Sequence, residues 1–167
     1  MKFIKNKLVI GTLLCILPYL AIAEDVRITI NGKVVANPCT VETTSSTVDL
    51  GDLFTFDFLS AGSASTWHDI NLKLISCPEG TTKVTAMFSG TPDGVDYYKN
   101  SGSAQNIQIQ LQDDLGNNLN NGSNKRIDIN EVNNEANFPL RVRVISASGN
   151  ATQGNISSVI TVTYTYS

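Results

Sequence analysis

Alternation of apolar and polar side chains with a period of two is the feature that most constrains this chain. It recurs in six segments of the sequence. The rows on the more apolar face are Val26, Ile28, Ile30, Gly32 and Val34; Ile70, Leu72 and Leu74; Val84, Ala86 and Phe88; Ile107, Ile109 and Leu111; Phe138, Leu140, Val142 and Val144; and Ile160, Val162, Tyr164 and Tyr166. Because successive side chains of a strand point to opposite faces, each segment is predicted to be a β-strand with one buried face.

Turn-forming clusters separate these segments, for example at 76–80, 90–94 and 148–150. Gly, Asn and Asp accept the positive φ angles of tight turns, and Pro fixes φ in others. We find no amphipathic helix of useful length in the sequence. The pattern therefore predicts an all-β, immunoglobulin-like sandwich, and a closed barrel is the alternative that periodicity leaves open.

The first 23 residues have the composition of an export signal. Three lysines precede an apolar run from Leu8 to Leu20, and the small residues Ala21 and Ala23 follow it. The run is shorter than the ~20 residues that a membrane-spanning helix needs. We predict a signal peptide over residues 1–23, with Glu24 as the first residue of the mature chain.

Cys39 and Cys77 are the two cysteines that remain after this cleavage. An even pair in an exported protein is predicted to form a disulfide. Nine basic residues then stand against 15 acidic ones, a net charge of −6. The basic residues are scattered, which argues against a nucleic-acid surface. With His68 as the single histidine, the chain offers no zinc site of usual spacing, and we predict no metal and no other cofactor.

No arrangement of residues in the sequence predicts catalysis. His68 would be the only base for a Ser-His-Asp triad, and the chain has no G-x-S-x-G nucleophile elbow. Asp113 and Asp114 could be paired carboxylates, but their place at a strand end before Gly and Asn favours a turn. Trp67 and the pair Tyr97–Tyr98 could line a sugar site, although core or edge packing explains them equally well. The chain is not expected to be an enzyme.

The two ends of the predicted mature chain differ from an ordinary sandwich. The first alternating run is set apart from the body by Asn37-Pro38-Cys39, and the last one extends from Asn155 to Tyr166. Alternation does not say whether the first run pairs within its own domain or with another molecule. An ordinary first strand is the simpler interpretation of the pattern alone.

Several motifs in the sequence resemble those of pilins from the chaperone/usher pathway. They are Ile30–Val41, Val48–Leu53, Ser60–Gly62, Ala64-Ser65, Trp67–Asp69, Cys77-Pro78, Tyr97–Asn100, Ala104–Gln108, Leu111–Asp114, Ala151–Gly154 and the ending Ile160–Ser167. Gly154 is fourteenth from the end and Tyr166 is penultimate, as in that family. On these motifs the chain is most similar to the minor tip subunits of type 1 fimbriae.

The resemblance implies an incomplete immunoglobulin-like sandwich that lacks its final strand and is completed by a donor strand from another subunit. Residues 24–36 would be an N-terminal donor-strand extension and residues 37–167 the pilin domain. The extension would insert the row Val26, Ile28, Ile30, Gly32 and Val34. The acceptor groove would be formed by Gly154, Ile160, Val162, Tyr164, Tyr166 and Ser167.

The resemblance also implies four partners. A periplasmic chaperone would fill the groove first and bind the free carboxylate of Ser167, and an outer-membrane usher would export the subunit. A tip adhesin would receive the donor strand, and the next subunit would donate its own. The chain would pass through the periplasm into a fimbrium on the bacterial surface and support adhesion there. The alternatives are another minor or major subunit of the same pathway, or a small secreted sugar-binding module.

Overall fold

The structure, a computed structural model, describes residues 27–34 and 37–167. The predicted signal peptide and Val26 lie outside the described residues. The chain divides into two units between Lys33 and Val34, and each is described by itself. From Arg27 to Lys33 the backbone forms neither helix nor strand, and the side chains of Ile28 and Ile30 are 79% and 90% exposed. In this single chain, the predicted first strand has no partner strand among the described residues.

The second unit contains ten strands and one short 3-10 helix, Thr55–Phe58. The strands are β1 (Thr40–Val41), β2 (Ser63–Ala64), β3 (His68–Ile75), β4 (Lys83–Gly90), β5 (Pro92–Asp93), β6 (Tyr97–Lys99), β7 (Gln108–Asp113), β8 (Asn124–Asp128), β9 (Ala136–Ser146) and β10 (Ile160–Tyr166). The last five alternating segments of the sequence correspond to β3, β4, β7, β9 and β10, with Ile107 just before β7. The all-β prediction is confirmed.

The strands form two separate antiparallel sheets. The larger has the order β1-β3-β9-β7-β6-β5, with β2 also paired to β9, and the smaller has the order β10-β4-β8. Strands adjacent in sequence, such as β3 and β4, lie in different sheets, so the chain crosses repeatedly between them. This arrangement is a sandwich, and it excludes the closed barrel that periodicity left open.

The core lies between the two sheets. Val84, Ala86 and Phe88 of β4 and Phe138 and Val144 of β9 are completely buried. These residues alternate with exposed or half-buried neighbours along their strands, as the period of two requires, except that the buried Ile145 follows Val144. The predicted apolar rows therefore do form the interior.

The predicted disulfide joins Cys39 to Cys77, with the two Cα atoms 4.2 Å apart. Both cysteines are buried, and the bond connects the start of β1 to the end of β3, which are paired at Thr40 and Ile75. Closing a loop of 38 positions restricts the unfolded chain by roughly 4 kcal/mol in the chain-entropy description. The prediction is confirmed, and the bond secures a first strand only two residues long.

A charged cluster links β8 to the end of β7. The Lys125 ammonium lies 3.2 Å from the Asp113 carboxylate and 2.8 Å from that of Asp114. Asp113 also accepts hydrogen bonds from the backbone N–H groups of Leu115 (3.0 Å) and Asn117 (2.8 Å). Burial by itself raises the pKa of Asp113, but the hydrogen bonds from Asn117 and Lys125 outweigh it and hold the pKa below its ordinary value. The predicted turn role of this aspartate is confirmed.

Candidate functional site

The last strand, β10, has an open edge. It pairs with β4 along its whole length, from Ile160 opposite Gly90 to Tyr166 opposite Val84. No strand pairs with its other side among residues 27–34 and 37–167. The backbone N–H and C=O groups that point to that side are therefore available to another strand.

The row of β10 that faces the core is incompletely covered. Its members are Ile160, Val162, Tyr164 and Tyr166, all of them half-buried. The ring of Tyr164 packs on that of Phe138 in the opposite sheet, with centroids 5.7 Å apart. Burial raises the pKa of Tyr164 to about 12, with a smaller contribution from Tyr166. The row thus belongs to the interior but lies beside an unfilled strand position.

The C-terminal residue continues the pairing of β10 with β4. The carbonyl oxygen of Ser167 accepts hydrogen bonds from the N–H groups of Thr82 and Lys83, both at 2.9 Å. Its N–H donates to the Lys83 carbonyl at 3.0 Å, and Arg126 donates to its hydroxyl at 3.1 Å. The backbone pairing between this end of the chain and the start of β4 therefore continues through Ser167.

At the start of the row, Gly154 lies in the loop before β10 and not on the strand. It lines a cleft of about 90 Å³, together with Leu53, Phe58, Ile107 and Ile156. A Cβ atom at Gly154 would overlap the backbone nitrogen of Ala104. The residue is therefore required to be small by the close approach of the 103–104 backbone.

One boundary inferred from the sequence is wrong. The sequence predicts that the last alternating run begins at Asn155, but β10 begins at Ile160. The carbonyl of Asn155 instead accepts a hydrogen bond from the Ala104 N–H at 3.1 Å, and the N–H of Ser157 donates to the Asn100 side chain at 2.8 Å. These bonds to the 100–104 loop hold the segment away from the sheet.

The other residues singled out in the sequence are not brought together into a site. Tyr98 is completely buried and its hydroxyl donates to the Leu119 carbonyl at 2.8 Å, so it is a core residue. His68 is half-buried in β3, opposite Val142. In the described ranges no hydrogen bond joins it to a serine or an aspartate. The guanidinium groups of Arg141 and Arg143 do lie over the ring of Trp67, and the sequence alone did not connect these residues.

The described residues contain neither a candidate metal site nor a candidate membrane-spanning helix. Among them, no group of three or more His, Cys, Asp or Glu side chains is arranged to hold a metal ion. Likewise, no helix in that part of the chain has the length and apolar character to span a bilayer.

The fold and the open β10 edge define a class of protein, the immunoglobulin-like subunits that lack a strand. The family model for fimbrial proteins matches residues 28–167, and the chain belongs to this family. It is thus a subunit of a fimbrium, a fibre on the bacterial cell surface, and its interactions include those with other subunits.

The relatives that cover nearly the whole chain include the following two. Protein FimG of Escherichia coli K12 is 54% identical over 167 residues, which is all of both chains. The S-fimbrial adhesin protein SfaS of E. coli O6:K15:H31 is 44% identical over 93% of each chain. Similarity of this extent and coverage supports the same fold for the three proteins.

Solved structures give the same architecture. The P pilus rod subunit PapA superposes with a TM-score of 0.67 at 23% identity, over 78% of this chain and all of that one. The type I fimbria protein BPSL1626 of Burkholderia pseudomallei has a TM-score of 0.55 at 26% identity, over 79% and 90% of the two chains. The fold predicted from the sequence, a pilin sandwich without its final strand, is confirmed.

Sequence reasoning missed three of the residues that line the cleft beside Gly154. Leu53 and Phe58 come from a segment whose only regular structure is a single 3-10 turn, so no period of two identified them. Ile156 was noticed only as part of the supposed strand. A search for apolar residues between predicted strands would have found Leu53 and Phe58.

Proposed function

We propose that this chain is a minor subunit of the fimbrial tip, which links an adhesin to the rest of the fibre by exchanging strands. The groove beside β10 accepts a strand from the next subunit. Residues 24–36 act as the donor and fill the groove of the preceding subunit. The observation that carries the proposal is the half-buried apolar row of β10 beside an open strand edge.

The physical basis of the acceptor role is that one inserted strand satisfies two needs of β10 together. Its backbone pairs with the open edge, and its side chains cover Ile160, Val162, Tyr164 and Tyr166. Before insertion, an open apolar edge of this kind favours aggregation. Folding of the subunit and assembly of the fibre are then one process, in which each subunit needs a strand from outside.

The donor role follows from the pattern and exposure of the extension. Ile28, Ile30 and Val34 are exposed in the described residues and share one face of an extended strand, with Gly32 between them. Burying these three side chains and Val26 contributes at most about 6–12 kcal/mol before the cost of ordering the segment.

The partners follow from this scheme and from the similarity to FimG. A periplasmic chaperone occupies the groove during export and binds the carboxylate of Ser167, and an outer-membrane usher releases the subunit to the growing fibre. The tip adhesin receives residues 24–36, and the next subunit supplies the missing strand. Residues 1–23 act as the cleaved signal peptide. The role is structural, with no catalytic step.

The donor role is tested by Ile30→Asp in the full chain. We expect the variant to fold on its chaperone and to accept a strand, but to be absent beneath the adhesin, because a carboxylate cannot enter an apolar pocket without a partner. The measurement is recovery of adhesin–subunit complexes from purified fimbriae. Lys33→Asp changes charge on the opposite face and is the matched control. Normal complexes with Ile30→Asp would refute the donor role.

The acceptor role is tested by adding a strand in cis. In this strand-completed variant, a second copy of residues 24–36 follows Ser167 through a short flexible linker, which allows an antiparallel strand beside β10. We expect it to be monomeric without a chaperone and to have a much higher unfolding midpoint than the natural chain. The matched control carries Ile30→Asp in the appended copy only. Equal midpoints for the two variants would refute the acceptor role.

A further inference from the structure

The sequence contains two Asn-Gly pairs, and they lie in different surroundings. Asn31-Gly32 is in the N-terminal extension, and Asn121-Gly122 is in the turn that precedes β8. Asparagine is especially prone to spontaneous deamidation before glycine, because a residue without a Cβ lets its backbone nitrogen approach the asparagine side chain. The surroundings of each pair decide whether that approach can occur.

Two hydrogen bonds hold the pair in the turn. The Gly122 N–H donates to the Phe88 carbonyl at 2.8 Å, and Oδ1 of Asn121 accepts from the Gly90 N–H at 3.1 Å. Asn121 and Gly122 are both exposed, so water reaches them. Before a bond could form between them, the Gly122 nitrogen and the Asn121 amide would have to leave these partners on β4. Deamidation at Asn121 is therefore hindered by hydrogen bonding and not by burial.

The pair in the extension lacks these restraints. Asn31 and Gly32 are exposed and lie outside helices and strands. Among residues 27–34 and 37–167, no hydrogen bond includes either of them. A Cβ atom at Gly32 would meet no heavy atom within 4 Å in the same ranges, its chain neighbours aside. In the unassembled chain, the Gly32 nitrogen can therefore approach the side-chain carbonyl carbon of Asn31.

We propose that Asn31 is a site of spontaneous deamidation in the subunit before it is assembled. The Gly32 nitrogen attacks the side-chain carbonyl carbon of Asn31 and forms a C–N bond, and the amide nitrogen leaves as ammonia with the Gly32 proton. Water then opens the resulting succinimide at one of its two carbonyl groups. The products are aspartate and isoaspartate. In isoaspartate the main chain runs through the former side chain and is longer by one carbon atom.

The two products differ in their effect on the extension, a consequence that rests on the proposed donor role. Asn31 lies on the strand face opposite Ile30 and Val34, so an aspartate there does not enter the apolar groove. Isoaspartate instead lengthens the backbone between Ile30 and Gly32, and the alternation before it no longer matches the alternation after it. Ile28 and Ile30 then cannot be buried together with Val34.

Assembly stops the reaction. In a donor strand the backbone at Asn31 is extended and paired with the neighbouring strand. Closing the succinimide ring requires a rotation about the Asn31 backbone that would break this pairing. A subunit that waits for assembly therefore loses its ability to donate a strand with time, whereas an incorporated subunit keeps its asparagine.

The modification is tested on the full mature chain, purified from the periplasm with its bound partner and aged in neutral buffer. Peptide mass spectrometry measures the replacement of amide by hydroxyl at each asparagine, and labelling with isoaspartyl methyltransferase measures isoaspartate. We expect isoaspartate to accumulate at Asn31 at least about tenfold faster than at Asn121, where hydrogen bonds must break first. Asn31→Gln, whose longer side chain closes a ring far more slowly, is the matched control. Equal rates at Asn31 and Asn121, or equal labelling of the wild type and Asn31→Gln, would overturn the proposal.

The consequence is tested by mixing the aged chain with the tip adhesin on its chaperone and separating the chains that join the adhesin from those that do not. We expect the isoaspartate fraction to be at least about tenfold lower in the joined chains, because the apolar row no longer fits as a unit. Asn31→Asp reproduces the other product without lengthening the backbone and should join as the wild type does. Equal isoaspartate fractions in the two pools, or a failure of Asn31→Asp to join, would overturn the effect on donation. If the fresh wild-type chain does not join either, the donor role itself is wrong, and the first measurement alone decides whether Asn31 is modified.

Discussion

β4 and β10 are neighbours in the smaller sheet, yet they differ sharply in burial. Val84, Ala86 and Phe88 of β4 are completely buried, whereas their partners Tyr166, Tyr164 and Val162 on β10 are half-buried. Both strands have the same apolar alternation. The difference comes from position: β4 has a strand on each side, and β10 has a strand on one side only. A core strand thus needs an apolar row of side chains, but the strands paired with it decide whether that row is buried.

The largest effect in this comparison is expected from Phe88→Ala. The side chain is fully buried in the centre of the smaller sheet, so its loss should destabilise the subunit by about 3–5 kcal/mol. The loss should be similar in the natural chain and in the strand-completed variant, because β10 lies between the added strand and β4. Chemical denaturation of both proteins measures it. A loss that depended on the added strand would mean that β4 is not an independent core strand.

Gly154→Ala is expected to have the next largest effect. The new methyl group would collide with the Ala104 backbone and displace the loop that leads into β10, at a cost of about 1–3 kcal/mol. Gly116→Ala, at a turn where the Cβ meets only the end of the Arg141 side chain at 3.4 Å, serves as a control for replacing a turn glycine. If thermal unfolding showed the two substitutions to be equally costly, the close approach at Gly154 would not be the cause.

Val162→Thr tests whether a strand beside β10 buries the apolar row that is half-buried in the natural chain. The side chain keeps its shape but gains a hydroxyl, which in the half-open groove still reaches water. We expect a loss below about 1 kcal/mol in the natural chain and a loss of about 1–3 kcal/mol in the strand-completed variant, where the hydroxyl is desolvated. Thr163→Val, on the exposed face of β10, is the control. An equal loss in both backgrounds would show that the strand does not cover this row.

The smallest effect concerns stability in acid. It is expected at the cluster of Asp113, Asp114 and Lys125, which joins the end of β7 to β8, the other neighbour of β4. Because the folded-state pKa of Asp113 lies below its ordinary value, its charge stabilises the fold above about pH 4, and this contribution is lost as the pH falls through the folded-state pKa. We expect Asp113→Asn to lower stability at pH 7 by about 1 kcal/mol and to flatten its dependence on pH in this acidic range. Denaturation midpoints from pH 2 to 7 measure both effects. Asp128→Asn, at an exposed ion pair, should change little.

Several features of the fold could be predicted from residues alone because their causes are local. A period of two in β3, β4, β7, β9 and β10 identified these strands, since the side chains of a strand alternate between faces whatever its neighbours are. The pairing of Cys39 with Cys77 followed from having two cysteines left in an exported chain. The turn at Asp113 followed from the hydrogen bonds that an aspartate makes to its own next residues.

Short strands were not predictable in this way. β8 carries Lys125 and Ile127 on its inner face, so its pattern is not apolar, and Lys125 is tolerated there only because Asp113 and Asp114 neutralise it. β1 and β2 are two residues long, too short for any period. Each forms because it can pair with a longer strand: β1 pairs with β3, and β2 pairs with β9.

By itself, the sequence determined that this chain folds into strands with one apolar face, and that one such segment precedes the body. Only the tertiary structure decided that β10 would be left with an open edge, that Asn155 would bond to the 100–104 loop, and that Trp67 would meet Arg141 and Arg143. The physical reason is that alternation fixes which face of a strand is apolar, whereas pairing and contact depend on chain segments that are distant in sequence and are brought together only by the fold.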